Sequence, residues 1–327
     1  MNILKKLLIG LAVIALLLFI VSFFLPSSLK VTRSVKTDAP VSAAFNQVNN
    51  LENWQNWSAW AKMSGMEMTY GEKKAGVDAY YNWTSPQGDG KLTIRESTPG
   101  KLIKNELDFG ERGIGYGTWN FEPDGDGTKM TWTFDTEIGN NPIKKLQGLL
   151  MDRILGKSMD EGLEELKSAS EKINKIKEVK VPGVEYALTH KATCNMKDIS
   201  QQLGASYGQI MSVMMADSAE KTTMPFCIYH NWDEAAGTVD LEAGIAINKP
   251  VESQGEVTSS SFEPTNTVAA YYHGDYSGLG AAHEAIDTYV TMNNKKVNGP
   301  PWEHYMTDPG AEPDTSKWLT VVYYPID

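Results

Sequence analysis

Only two cysteines, Cys194 and Cys227, occur in 327 residues, and neither sits in the CxxC or Cys/His spacing of a zinc site. That excludes a disulfide framework and leaves open whether the two are free thiols or a bridge. Positive charge is also scarce. Thirty Lys and Arg against 41 Asp and Glu give a net charge of −11, with no cluster of basic residues, so the footprint of a nucleic-acid partner is missing. A helix-turn-helix signature is missing as well. The five histidines (His190, His230, His273, His283 and His304) form no HExxH or HxH pair, so no metal or other cofactor is implied. What remains is an ordinary globular balance, 41% hydrophobic and 22% charged, in enough chain for about two domains.

One stretch departs from that balance. Leu7 to Leu25, LLIGLAVIALLLFIVSFFL, is uncharged throughout and long enough to cross the ~30 Å hydrocarbon core of a bilayer as a helix. Residues 1–28 are therefore expected to form a single-pass membrane anchor. A secretory signal peptide is the competing reading, but its apolar region is shorter, and FFLPSS offers no small-x-small cleavage site. Lys5 and Lys6 precede the run, and Lys30, Arg33 and Lys36 follow it, so flanking charge does not choose the side on which the rest of the chain lies.

Beyond the anchor, LKVTRSVKT alternates Leu29, Val31 and Val35 with polar residues, as a half-buried strand does, with Arg33 the one misfit. Val41, Ala44, Phe45 and Val48 then follow helical spacing behind Asp38 and Pro40. Trp54, Trp57 and Trp60 recur every three residues and read as core aromatics rather than a ligand box. Met66 to Ile138 reads as antiparallel strands separated by turns such as EPDGDGTK. From Pro142, the apolar residues Ile143, Leu146, Leu149, Leu150, Ile154, Leu163, Leu166, Ile173 and Ile176 predict a long helix, and KINKIKEVKVPGV a helix end and linker. Strand, helix, strand meander and long helix, together with KVTRSVKTDAPVSAAFNQVNNLENWQNWSAW, resemble the START-like helix-grip fold of the SRPBCC, or polyketide cyclase/dehydrase-like, family. The resemblance implies a domain over 29–178 with a cavity for lipids or other apolar molecules, and carries no catalytic residue with it.

Residues 179–327 match themselves. YALTHKA at Tyr186 parallels AAYYHGD at Ala269. The helix with Leu203, Tyr207 and Ile210 parallels one with Leu279, Ala282 and Ile286. PFCIYH at Pro225 parallels PWEHYM at Pro301. Each half reads strand, helix, strand, strand, which makes the whole chain α+β and places a crevice where the halves meet. Alternation in WEHYM puts Glu303 and Tyr305 on one face and Trp302, His304 and Met306 on the other. Tyr305 aligns with Tyr229, and Glu303 with Cys227, so the acid belongs to the second half alone.

HGDYSGLGAAHEAIDTYV and GPPWEHYMTDPGAEPDTSKWLTVVYYPI are similar to the GyrI-like, or AraC-type effector-binding, small-molecule-binding domain. The resemblance implies that Glu303 faces an aromatic-lined pocket. It further implies drug sensing, toxin resistance or, in some members, hydrolysis of electrophilic cyclopropane compounds. Cys227 departs from the acid motif, and Glu242 is the candidate for a second acid. The expected ligand residues are Glu303 and Tyr305, with Tyr229, Tyr271, Tyr272, Trp302 and Trp232 as further candidates, and the expected partner is a hydrophobic or cationic small molecule. A desolvated carboxylate selects for a cation, and aromatic faces add to that preference. The same Glu303 can instead serve as general base in a hydrolase, or stand on the rim paired with His304 or Lys317. Lipid binding by the first domain is the third reading. GASYG at Gly204 lies in helical spacing, unlike a nucleophile elbow, His283 with Glu284 reads as a solvated helical pair, and GIGYG at Gly113 reads as a sheet edge or turn.

Overall fold

The computed structural model describes residues 3–327. Met1 and Asn2 of the expected anchor, and the side chains of Leu4, Ala15, Leu18 and Leu149, lie outside the described residues. The chain forms two compact units that divide between Glu171 and Lys172.

The first unit opens with helix α1 (Ile3–Ser22), which by length and composition can cross a membrane. Next come β1 (Ser28–Thr37), α2 (Val41–Asn49) and the short α3 (Trp54–Trp57). The meander follows as β2 (Glu67–Tyr70), β3 (Tyr80–Thr84), β4 (Gly90–Thr98), β5 (Leu102–Asp108), β6 (Ile114–Asp124) and β7 (Gly127–Glu137). These strands form one antiparallel sheet in the order β1-β7-β6-β5-β4-β3-β2. Helix α4 (Pro142–Ser170) closes the unit, its N-terminus capped by the Asn141 side chain, which accepts from the backbone amides of Ile143 and Lys144. Buried Met159, Leu163 and Leu166 of α4 join the aromatic core. Within that core Trp119 stacks on Trp132 at 4.3 Å, and both pack edge-on against Trp57. Arg33, the misfit of β1, is satisfied by Asp160 at 3.3 Å and Asp152 at 3.7 Å on α4. Gly115 and Gly117 lie in β6, an interior strand rather than an edge or turn, where side chains would collide with Phe134 and the Asn105 amide.

The segment read as helix end and linker is instead β8 (Ile173–Val181), so Ile173 and Ile176 leave the helix that was expected to hold them. Its β-branched residues pair antiparallel with β13, and tertiary pairing overrides the helical spacing. The second unit continues as β9 (Val184–Asn195), α5 (Ile199–Ala216), β10 (Phe226–Asp233), β11 (Thr238–Ala246), β12 (Val257–Phe262) and β13 (Thr265–His273). It ends with α6 (Gly280–Met292), β14 (Trp302–Tyr305) and β15 (Leu319–Pro325). The eight strands run β12-β9-β11-β10-β14-β15-β13-β8, an order that reads alike outward from the central β10–β14 pair. At that pair Cys227 stands directly opposite Glu303.

Candidate functional site

Alternation along β14 sends Glu303 to the sheet face on which α5 and α6 pack, where its side chain is only 5% exposed. A buried carboxylate needs partners, and three reach it. Tyr305 donates its hydroxyl to Oε2 at 2.7 Å, and Tyr229 donates to the same oxygen at 3.1 Å. The two hydroxyl oxygens are themselves 3.1 Å apart. From α6, His283 brings Nε2 within 2.9 Å of Oε1, while its Nδ1 lies 3.2 Å from the Tyr324 hydroxyl. Burial first, and the Glu303 charge second, hold the Tyr229 and Tyr305 phenols well above their ordinary range, so both remain donors. The Cys227 thiol is pushed up by the same two causes and stays protonated.

Aromatic rings extend outward from this carboxylate in an arc. Trp232 meets Tyr229 at 5.9 Å, Tyr305 meets Tyr276 at 5.4 Å, and Tyr276 meets Trp318 at 5.0 Å. Trp232 is half exposed, so one end of the arc is open to solvent. On α5 the Tyr207 hydroxyl donates to the Phe226 carbonyl, and burial raises its phenol too. The buried carboxylate thus lies at the inner end of a chain of aromatic contacts that finishes at the half-exposed Trp232.

The structure brings Glu303, Tyr305, Tyr229 and Trp232 together. Sheet register carries Trp302 and Tyr271 to the opposite face, where Trp302 stacks on Tyr323 and Lys177 lies over the Tyr271 ring. Tyr272 is buried with its hydroxyl on the Asp275 carbonyl. Glu242 is also on that opposite face, bonded to His230 at 2.7 Å. Neither His304 nor Lys317 pairs with Glu303. His304 packs between Phe226 and Tyr323, and Lys317 reaches Glu312 and Asp314.

His283, read from the sequence as a solvated neighbour of Glu284, is the residue that reading missed. It falls four residues after Leu279 and three before Ile286, on the inward stripe of α6, and that spacing was the available signal. Tyr276, Trp318 and Tyr324 gave none beyond being aromatic. Ser206 of GASYG is fully buried within α5, bonded to His190 Nδ1 at 3.0 Å and to the Gln202 amide, so no substrate reaches it.

An open depression of about 550 Å³ lies on the first unit, lined by Trp57, Ala59, Lys62, Asp160, Glu161, Glu164 and Glu165. Its acids are exposed and screened by water, so each holds a cation weakly.

Comparison with known proteins agrees with the two-unit division. Residues 28–171 match the family of polyketide cyclase / dehydrase and lipid transport, and residues 174–327 match the GyrI-like small molecule binding domain. Among solved structures, the EcmrR C-terminal domain is 18% identical, with a TM-score of 0.43, covering 47% of this chain and 97% of its own. EcmrR in a cryo-EM complex with DNA is 17% identical, with a TM-score of 0.45, over 57% of this chain and 70% of its own. A Chromobacterium violaceum protein is 14% identical, with a TM-score of 0.34, over 45% of this chain and 98% of its own. None of the curated proteins compared matches the chain.

Proposed function

We propose that this chain, a polyketide cyclase-like domain followed by a GyrI-like domain, is a membrane-anchored receptor for hydrophobic cations, held in the bilayer by Leu7 to Leu25. The ligand sits on the aromatic arc with its charge toward Glu303, at the seam between two copies of one strand-helix-strand-strand unit. One observation supports the proposal: a buried carboxylate held by two tyrosines whose ring contacts lead out to the half-exposed Trp232. Hydrogen bonds from Tyr229, Tyr305 and His283 keep the acid in place between ligands, and a cation that displaces water from the rings recovers charge pairing in a dry site. Calorimetric titration of a lipophilic aromatic cation into wild type and Glu303→Gln tests it. Loss of the charge is expected to weaken binding by about tenfold to a hundredfold, the value of a charge-assisted contact. Equal affinities would remove Glu303 from recognition.

The His283 contact favours a second reading, hydrolysis of an electrophilic cyclopropane-type compound. An acid bonded to an imidazole can take a proton from water, and the Tyr305 or Tyr229 hydroxyl can steady the developing oxyanion. Product formation that is lost in Glu303→Gln supports this reading, and stoichiometric binding without product refutes it. For the first domain the family match supports lipid binding, to be tested by mass spectrometry of lipids retained on purification.

A further inference from the structure

Helix α4 changes character halfway along. Residues 142–157 expose Lys144, Arg153 and Lys157, with Lys145 buried, against the single acid Asp152, which faces Arg33. Residues 158–171 reverse the sign, with Asp160, Glu161, Glu164, Glu165 and Glu171 against Lys167. The basic half is also the half that leaves large apolar side chains uncovered. Ile143, Leu150 and Ile154 are 67%, 65% and 63% exposed. Their spacing of seven and four residues aligns them on one stripe, turned away from the side on which Gly156, Met159 and Leu163 are buried.

That stripe lies beside the exit of the apolar helix α1. The two helices pack against each other, and the amides of Ile138 and Gly139, just before α4, both donate to the Ser27 carbonyl, just after α1. A soluble domain has no reason to pair exposed isoleucine and leucine with flanking lysine and arginine in a chain of net charge −11. An anionic bilayer surface does: the apolar stripe enters the headgroup boundary while the cations meet lipid phosphates and carboxylates.

We propose that residues 142–157 of α4 form a second membrane contact, an interfacial segment lying on an anionic leaflet beside the point where α1 enters it. The proposal rests on α1 as the membrane span. Its consequence is that the first domain is fixed in orientation against the lipid surface instead of swinging on a tether.

The full chain, in a Cys194→Ser background with buried Cys227 left in place, is reconstituted into phosphatidylcholine vesicles with and without phosphatidylserine. A polarity-sensitive fluorophore is attached through Leu150→Cys or Ile154→Cys, through Glu164→Cys as a control on the acidic half, and through Leu11→Cys on α1. Lipid-borne quenchers should reach the labels at 150 and 154 severalfold more than the label at 164, and more strongly with phosphatidylserine present. Replacing Lys144, Arg153 and Lys157 by Gln should lower that dependence by about fivefold in partition per charge removed. Quenching at 11 but no excess at 150 and 154 over 164 overturns the interfacial contact and leaves the anchor standing. No quenching at 11 overturns both. Shielding at 150 that follows protein density in the vesicle, without lipid quenching, assigns the stripe to a second copy and also overturns the proposal.

Discussion

Replacing Glu303 by alanine or by glutamine separates what its shape contributes from what its charge contributes. In Glu303→Ala three partly buried partners lose their acceptor: the Tyr305 hydroxyl, the Tyr229 hydroxyl and His283 Nε2. The two hydroxyls, already 3.1 Å apart, can satisfy one donor between them, which leaves one phenol and one imidazole nitrogen unpaired. A fully buried orphan costs about 1–3 kcal/mol, and because these two groups are only partly buried the substitution should destabilise the C-terminal domain by about 2–4 kcal/mol. Glutamine behaves differently. Its carbonyl can keep both tyrosines, and its amide can donate to Nε2 once the imidazole proton moves to Nδ1 and is given to the Tyr324 hydroxyl. The three groups that faced the carboxylate then keep partners, and the cost should be smaller than for alanine, about 1–2 kcal/mol. Native-state hydrogen exchange read on peptides spanning β10 and β14 reports this unit separately from the first. An alanine variant that protects these peptides as well as wild type does would refute the network as drawn from the structure.

Three further outcomes are expected. Burial holds the His304 imidazole down to about 4, below its ordinary 6.5. The unfolded chain therefore binds the extra proton between those values, and stability should fall as pH drops from about 6.5 to 4, by about 2–3 kcal/mol. Urea midpoints should show this slope flattened in His304→Phe, and an unchanged slope would assign the acid sensitivity elsewhere. Cys227, buried with a raised thiol, should resist maleimide in the native protein and react only in denaturant, and mass spectrometry showing two labels under native conditions would contradict its burial. Gly90→Ala would drive its Cβ into the Trp83 ring and the Asp108 carbonyl, so thermal unfolding of the first domain should show a loss of about 1–3 kcal/mol.

The parts of this molecule that were legible in its sequence are those fixed by local repetition. Period-two alternation placed Glu303 beside Tyr305, and turn residues marked the meander from β2 to β7. Features that depend on what packs from a distance were harder to read. Ile173 and Ile176 continue the spacing of α4, yet β13 captures them as a strand. β12 carries three consecutive serines and is a strand through its pairing with β9. His283 meets Glu303 only once α6 lies on the sheet, although its place on the inward stripe was there to be counted. Tyr276 and Trp318 come from short 3₁₀ turns and their borders, where no periodicity announces a facing partner.

The opposed positions of Cys227 and Glu303 carry one more consequence. Residues bonded across an antiparallel pair stand about 5.5 Å apart. Two carboxylates at that separation, away from water, repel so strongly that one would have to take up a proton. The centre of the sheet thus has room for a single negative charge, and a thiol at the facing position keeps it single. A cation bound as proposed would find its counter-charge on one side of the midline only.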